Sequence, residues 1–290
     1  MEEAVARIPA PFGPGNLAPV SVVIPCYRCS RTIDAAVASV CAQTLLPAEV
    51  ILVDDCSGDQ TLDRLQALAG WYPPGWIKVV SLNCNGGAAC ARNAGWRAAT
   101  SDYIAFLDAD DTWSPYKLQL QMAVLKADPT VALIAHRMQV CPRSERLPPL
   151  HYPVLTEILP RQRFLMHNPV PTASAVVRAN LPFRFNEHFR RVEDFLLWAQ
   201  IGFSGYRCAK INQVLAAWHK PNYGAGGLSE DLKAMHRAGR EARLELCRQG
   251  LISPAESYFS RSLCKCRRAR RRLVMVGRRI GHPPVGMEIP

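Results

Sequence analysis

Residues 21–55, SVVIPCYRCSRTIDAAVASVCAQTLLPAEVILVDD, contain the unit from which the fold can be predicted. Two apolar runs rich in β-branched residues, Val20–Ile24 and Val50–Val53, flank a segment of helical period at Ile33–Gln43. Because the apolar runs are continuous rather than alternating, we expect both faces of each strand to be buried. A strand, a helix and a second strand of this kind are typical of a parallel sheet covered by helices.

The same alternation continues along the chain. Further strands are predicted at Ile77–Leu82 and Tyr103–Leu107, and further helices at Thr61–Leu68 and Ala88–Ala99. Ser114-Pro115 is predicted to open another helix, with serine as the cap and proline at the first helical position. The fold class is therefore α/β, with a Rossmann-like, mostly parallel central sheet flanked by helices.

Beyond residue 135 the pattern changes. Residues 141–171 contain seven prolines and are predicted to form a loop-rich insertion, and regular structure returns at residues 191–203 and 211–218. From residue 229 the pattern is helical and increasingly basic, which predicts a helical basic C-terminal extension. The predicted organisation is a tail at 1–17, a domain at 18–228 with halves 18–135 and 136–228, and the extension at 229–290.

Composition describes an ordinary globular protein with one strongly charged segment. The 290 residues are 49% hydrophobic and 20% charged, with a net charge of +11. Nine lysines and arginines and no acidic residue lie between residues 261 and 279, so most of the excess charge is local. We expect this segment either to contact an anionic membrane surface or to form a solvated basic helix or frayed end. It has no aromatic residues for base stacking, so no nucleic-acid partner is expected.

The sequence also indicates where the protein is located and that its cysteines are reduced. No run approaches the roughly 18 apolar residues of a membrane span, and the N-terminus does not resemble a signal peptide. We therefore expect a cytoplasmic protein, or one held at the cytoplasmic face of a membrane. The eleven cysteines are interpreted as reduced, and Cys26-x-x-Cys29 lacks the second pair that a zinc site of this type needs.

Acidic residues follow the predicted strands at the edge where open parallel sheets bind ligands. Asp54, Asp55, Asp108, Asp110 and Asp111 would repel one another there unless they shared a cation. In an extended segment, Asp108 and Asp110 would point to the same side and hold one hard divalent ion such as Mn²⁺ or Mg²⁺. The alternative is that Asp54, Asp55 and Asp111 only cap helices or turns.

Four segments, taken together, carry a family resemblance. From about Pro19 to Ser229 the chain resembles the family 2 glycosyltransferases, which are inverting enzymes with the GT-A fold. The segments occur in the family's order and spacing; they are SVVIPCYRCSRTIDAAVASVCAQTLLPAEVILVDDCSGDQT at 21–61, NGGAACARNAG at 85–95, YIAFLDADDTWSPYKLQLQ at 103–121 and RVEDFLLWAQI at 191–201.

The resemblance implies a nucleotide-sugar site in the half 18–135. Pro25 and Tyr27 would line the base pocket, and Asp55 would accept a hydrogen bond from the base. Arg92 would lie near the donor, while Asp108 would contact the ribose or the metal. A further position, Asp110, would bind the divalent cation directly.

It also implies an acceptor site in the half 136–228. Asp194 would be the general base that deprotonates the acceptor hydroxyl, a role that suits a carboxylate in a concerted inverting transfer. Glu193 and Asn168, and less directly Arg178, are candidate acceptor contacts. His219 is either a metal or diphosphate ligand or an ordinary surface histidine.

The resemblance thus implies a metal-dependent transfer of one sugar, from a UDP-sugar by preference, to a hydroxyl of a glycan or glycolipid. Such a reaction belongs to the synthesis of cell-surface polysaccharide or lipopolysaccharide. The absence of a Gln-x-x-Arg-Trp motif argues against a processive synthase. Two alternatives remain, a nucleotidyltransferase on the same scaffold and a non-catalytic basic interaction protein.

Overall fold

The structure is a computed structural model that describes residues 17–219 and 231–263. Several sequence predictions lie outside these residues: the N-terminal tail up to residue 16, the glycine-rich loop at 222–227, and the basic segment from residue 264 onward. The strands and helices given below all lie within the two described ranges.

A single nine-stranded sheet forms the centre of the molecule. Its strand order is β3-β2-β1-β4-β8-β6-β9-β5, and β7 pairs with β9 beside this path. The strands are β1 (Leu17–Cys26), β2 (Leu46–Asp54), β3 (Ile77–Ser81), β4 (Tyr103–Phe106), β5 (Thr112–Trp113), β6 (Val131–Val140), β7 (Thr156–Ile158), β8 (Val176–Arg178) and β9 (Arg207–Trp218).

The predicted parallel unit is confirmed. Strands β3, β2, β1 and β4 pair in parallel, and most of the paired residues of the whole sheet lie in parallel ladders. β8 runs antiparallel to its neighbours β4 and β6, and so joins the second half of the chain to the first. The carboxyl ends of β1, β2 and β4 therefore meet at one edge, as an open parallel sheet requires.

Helices cover both faces of the sheet. Side chains of α1, α2 and α4 belong to one apolar core, and those of α3, α5, α6 and α7 to a second core on the other face. The helices are α1 (Ile33–Cys41), α2 (Thr61–Gly70), α3 (Ala88–Ala98), α4 (Lys117–Ala127), α5 (Arg161–Met166), α6 (Glu193–Phe203) and α7 (Leu232–Arg248).

Helix α3 packs unusually close to the sheet. A Cβ atom added at Gly95 would lie 2.3 Å from a methyl group of Val23 on β1, so only glycine fits at this crossing. The close packing fixes the height of α3 above the strand ends, and with it the position of Arg92 one turn earlier.

One sequence prediction about local structure needs correction. The helix after β5 begins at Lys117 and not at Pro115, because the backbone of Ser114 is engaged by other elements. Its N–H donates to Leu215 and its carbonyl accepts from the side chain of Gln43, at 2.9 and 2.8 Å. The loop-rich insertion 141–171 also contains β7 and α5, which are too short to show a period.

The chain after β9 is helical where the structure describes it. Ala242 and Leu246 of α7 are buried in the second core, and a further helical stretch covers residues 254–263. Among the described helices, none combines the length and the apolar character needed to span a membrane.

Candidate active site

A cavity of about 860 Å³ opens at the carboxyl ends of β1, β2 and β4. The first turns of α3 and α6 and the segment between α5 and β8 complete its walls. Nine of the candidate site residues predicted from the sequence line it: Pro25, Tyr27, Asp55, Arg92, Asp108, Asp110, Asn168, Glu193 and Asp194. The topology therefore brings together residues from both halves of the domain.

The wall formed by β1 and β2 carries an exposed ring and a bound carboxylate. Tyr27 is 47% exposed, and its ring lies beside the guanidinium of Arg28. Asp55 is buried, and its two oxygens accept the backbone N–H groups of Gly86 and Gly87 at 2.8 and 2.7 Å. Asp55 thus anchors the loop that begins α3, while the Tyr27 ring remains open to a flat ligand.

Residues 108–111 form a tight turn, which corrects the predicted extended geometry. The N–H of Asp111 donates to the carbonyl of Asp108 at 3.0 Å. Alternation of side chains along a strand therefore does not apply to Asp108 and Asp110. Both residues still line the cavity, because the turn itself faces it.

Arg92 links the two sides of the cavity through one buried guanidinium. It donates to Asp108 Oδ1 through Nη2 and to Glu193 Oε1 through Nη1, each at 2.7 Å. Burial by itself lowers the pKa of Arg92, but the charges of Asp108 and Glu193 outweigh it and raise that pKa. The arginine is therefore a permanent cation between two carboxylates.

Three of the five carboxylates at the acidic edge have protein partners that compensate their charge. Asp54 accepts from the hydroxyl and the N–H of Ser57, which confirms the alternative that it caps a turn. Asp55 is held by backbone amides and Asp108 by Arg92. Mutual repulsion consequently gives no evidence for a metal here.

Asp194, the second residue of α6, is held in place by two side chains. Its Oδ2 accepts from Asn168 Nδ2 at 2.8 Å and from Thr172 Oγ1 at 3.2 Å. Burial, assisted by the neighbouring charge of Glu193, raises the pKa of Asp194 to about 6. A carboxylate with this pKa is ionised at neutral pH and is a stronger base than an ordinary aspartate.

Val192, just before this pair, has a strained backbone. Its φ of 55° places a β-branched residue in the left-handed region, which normally requires glycine or asparagine. Such strain persists only where surrounding structure enforces it, and it is concentrated at functional sites. Here it turns the chain sharply so that Glu193 and Asp194 enter the cavity wall together.

Two residues that were expected to contact the acceptor have protein partners in the structure. Two further residues line the cavity although no sequence pattern pointed to them. Glu193 holds Arg92, and Asn168 holds Asp194. Thr172 and Arg190 also line the cavity, and Arg190 contacts Asn85 in the loop before α3. No local signal marks Thr172, since it stands 22 residues before its partner Asp194.

Two other candidates have protein partners outside the cavity wall. Both ring nitrogens of His219 are engaged, Nε2 with the hydroxyl of Thr112 at 2.8 Å and Nδ1 with the carbonyl of Cys141 at 2.7 Å. A metal bond would require His219 to release one of them. Arg178 donates to the carbonyl of Val131 on the neighbouring strand β6.

The sequence profile described as Glycosyl transferase family 2 matches residues 21–186, more than half of the chain. The chain belongs to glycosyltransferase family 2. The match includes both acidic strand ends and Arg92, and ends shortly before Glu193. An enzyme of this family transfers a sugar, so the cavity is the candidate active site of a glycosyltransferase.

Two curated relatives support this assignment. The glycosyltransferase is 32% identical over 273 residues to the succinoglycan biosynthesis protein ExoO of Rhizobium meliloti (strain 1021). This alignment covers 89% of this chain and 76% of ExoO. It is 37% identical over 106 residues to WfgD of Escherichia coli, a UDP-Glc:α-D-GlcNAc-diphosphoundecaprenol β-1,3-glucosyltransferase. That second match spans 37% of this chain and 40% of WfgD.

The fold agrees with solved GT-A structures. The mannosyltransferase PcManGT of Pyrobaculum calidifontis, solved with GDP-Man and Mn²⁺, superposes with a TM-score of 0.63 at 19% identity. The superposition covers 84% of this chain and 69% of PcManGT. At this identity the likeness establishes the architecture, and the ligands belong to PcManGT alone.

Proposed function

We propose that this glycosyltransferase moves one sugar with inversion from a nucleotide-sugar to an acceptor hydroxyl, with Asp194 as the general base. The observation that carries the proposal is a carboxylate of raised pKa, oriented by Asn168 and Thr172, that faces the same cavity as Tyr27 and Asp108. An inverting transfer needs a base on one side of the sugar and a stabilised leaving group on the other.

The donor is proposed to lie along the wall of β1 and β2. The exposed ring of Tyr27 would pack against the base, beside Pro25. Asp55 retains lone pairs beyond its two bonds to the α3 loop, and one of these would accept an N–H of uracil. A UDP-sugar is favoured because WfgD, by its name, uses UDP-Glc.

The cavity supplies only part of the ligand set that a divalent cation needs. Within residues 17–219 and 231–263, no group of three or more His, Cys, Asp or Glu side chains is placed to hold a metal. Asp108 and Asp110 are nevertheless oxygen ligands that line the cavity. Mg²⁺ and Mn²⁺ are commonly held by one or two carboxylates plus substrate phosphates and water. The bound ion would neutralise charge on the departing diphosphate.

The donor site can be tested without knowing the acceptor. UDP-, GDP- and dTDP-sugars are titrated into the protein by calorimetry, with and without Mn²⁺. We expect one nucleotide to bind with metal present, and Asp110→Ala to weaken that binding at least tenfold (about 1.4 kcal/mol). Asp102→Ala is the matched control, because Asp102 is an exposed aspartate at the opposite end of β4.

The alternatives predict other outcomes of this titration. Failure of folded protein to bind any nucleotide-sugar in the presence of metal would contradict the donor site and favour a non-catalytic interaction protein. Release of pyrophosphate from a nucleoside triphosphate would instead support a nucleotidyltransferase.

The acceptor is proposed to be a glycan or glycolipid of a cell-surface polysaccharide. ExoO is named for succinoglycan biosynthesis, and WfgD acts on a diphosphoundecaprenol-linked sugar. An acceptor embedded in a membrane would make a surface contact useful. Tyr258 and Phe259 are 68% and 56% exposed on the helical stretch 254–263, directly before the basic segment. Aromatic side chains and basic residues together favour an anionic lipid surface.

Co-sedimentation with vesicles tests the membrane contact. We expect the protein to pellet with vesicles containing phosphatidylglycerol and to stay in solution with pure phosphatidylcholine. Replacing Tyr258 and Phe259 by serine should reduce the pelleted fraction, and 0.5 M NaCl should reduce it further by screening (Debye length below about 10 Å). Equal pelleting with both lipids, or no pelleting, would contradict an electrostatic membrane contact.

A further inference from the structure

Trp113 and Gln121 belong to the segment 103–121 that identifies the family, yet neither lines the active-site cavity. Trp113 ends β5, and Gln121 lies on α4 with its side chain fully buried. Both use a side-chain N–H to bind a main-chain carbonyl of the same short 3-10 turn, Thr172–Ser174. Trp113 Nε1 donates to Ala173 and Gln121 Nε2 donates to Ser174, each at 2.9 Å.

This turn carries one of the two side chains that hold the proposed base. Thr172 Oγ1 donates to Asp194 Oδ2 at 3.2 Å, and Thr172 is itself buried. The turn is closed by its own bond from the N–H of Ser174 to the carbonyl of Pro171 at 2.9 Å. The indole of Trp113 is therefore connected to the carboxylate of Asp194 by two hydrogen bonds and the short piece of backbone between Ala173 and Thr172.

We infer that Trp113 and Gln121 are positioning residues that fix the Thr172–Ser174 turn and thereby the hydrogen bond from Thr172 to the base. The inference rests on the proposed role of Asp194. Two donors from different elements bind successive carbonyls, so a rotation of the turn would break two hydrogen bonds inside the core. Gln121 Nε2 also donates to the carbonyl of Ile134 at 3.2 Å, which holds its side chain in place. Because the loss of buried hydrogen bonds is unfavourable, the arrangement is rigid.

A purely structural role for Trp113 is the competing explanation. The centre of the Trp113 ring also lies 3.8 Å from Lys117 Nζ, and the side chain is part of the first core. If packing were its whole function, removing only the indole N–H would affect stability and leave the base untouched. The two explanations therefore differ in what happens to the pH dependence of kcat.

A double-mutant cycle separates them. Trp113→Phe removes the N–H together with part of the indole volume and keeps an aromatic ring, and Thr172→Val removes the hydroxyl at nearly constant volume. We expect each single variant to lower kcat about tenfold, and the double variant to be no slower than Thr172→Val alone. KM for the donor should stay within about twofold, since neither side chain reaches the donor wall.

The pH profile gives the readout that packing alone would not move. The bond from Thr172 lowers the pKa of Asp194, against burial and the charge of Glu193, which raise it. Losing that bond should move the acidic limb of kcat to higher pH in both single variants. The other charged groups around the base are Arg92, Asp108 and Arg191 in the cavity wall, and the variants leave all of them in place.

Several outcomes would overturn the inference. Additive effects of Trp113→Phe and Thr172→Val on kcat, or an unshifted acidic limb in Trp113→Phe, would show that Trp113 does not act through Thr172. If Trp113→Phe fails to fold, Gln121→Met tests the same link from α4, and Trp71→Phe, at an exposed tryptophan, is the control. Failure of the proposed function would give a different result, because full kcat in Asp194→Asn would show that Asp194 is not the general base.

Discussion

Asp194→Asn is expected to lower kcat roughly 100- to 10,000-fold, the range that general-base catalysis contributes. The amide keeps the shape of the side chain but cannot take the proton of the acceptor hydroxyl. Donor affinity should be nearly unchanged, because Asp194 lies at the start of α6 and not on the wall of β1 and β2 that carries Tyr27 and Asp55. The measurement is initial-rate kinetics with a UDP-sugar and an acceptor, beside calorimetric binding of the donor.

The wild-type pH profile belongs to the same prediction. Since the pKa of Asp194 is raised to about 6, the base is protonated below this pH and ionised above it. Activity should therefore rise with pH through about 6, and the residual activity of Asp194→Asn should lack this limb. Asp128→Asn, at an aspartate beyond the C-terminal end of α4, is the control and should retain both activity and limb. Substantial activity in Asp194→Asn with the limb intact would rule out Asp194 as the base.

Arg92→Met is expected to cost about 3–5 kcal/mol of the free energy of unfolding, the usual loss when one partner of a buried ion pair is removed. The arginine is 5% exposed, and its removal leaves Glu193, 7% exposed, as a buried carboxylate without its cation. Asp108 contributes less to this loss, because its side chain is 34% exposed and can be hydrated. Urea unfolding followed by tryptophan fluorescence measures the effect.

Two comparison variants sharpen this prediction. Arg97→Met, on the same helix, removes an arginine whose side chain is 62% exposed and lies 3.8 Å from Glu187. It should cost below about 1 kcal/mol, as exposed pairs do. The double variant Arg92→Met/Glu193→Gln should be more stable than Arg92→Met alone, since no unpaired charge stays buried. Equal losses for Arg92→Met and Arg97→Met would show that the bridge across the cavity is not a buried ion pair.

The ion pair between Arg92 and Glu193 also bears on the role expected for Glu193. Glu193 was expected to contact the acceptor, and its charge is instead satisfied by Arg92, 101 residues earlier in the chain. Arg92 thus joins the turn at Asp108 to the residue beside the proposed base. A change in the charge of Asp108 would reach Asp194 through one guanidinium, and this could not be inferred from any local pattern.

By itself, the sequence determined the α/β class, the four parallel strands, the helices between them and the family. These features depend on local information: the period of apolar residues sets the type of each element, and continuous apolar strands require helices on both faces. Because parallel strands present their carboxyl ends at one edge, the sequence also located the cavity and nearly all of its candidate residues.

Only the tertiary structure decided what those residues contact. Asp108–Asp111 is a turn rather than a strand end, His219 is bound by Thr112 and Cys141, and Asn168 and Thr172 hold Asp194. Each of these facts depends on groups brought together from distant parts of the chain, where sequence spacing carries no information about distance. Burial raises the pKa of Asp194 for the same reason, since the surroundings that desolvate it come from several elements.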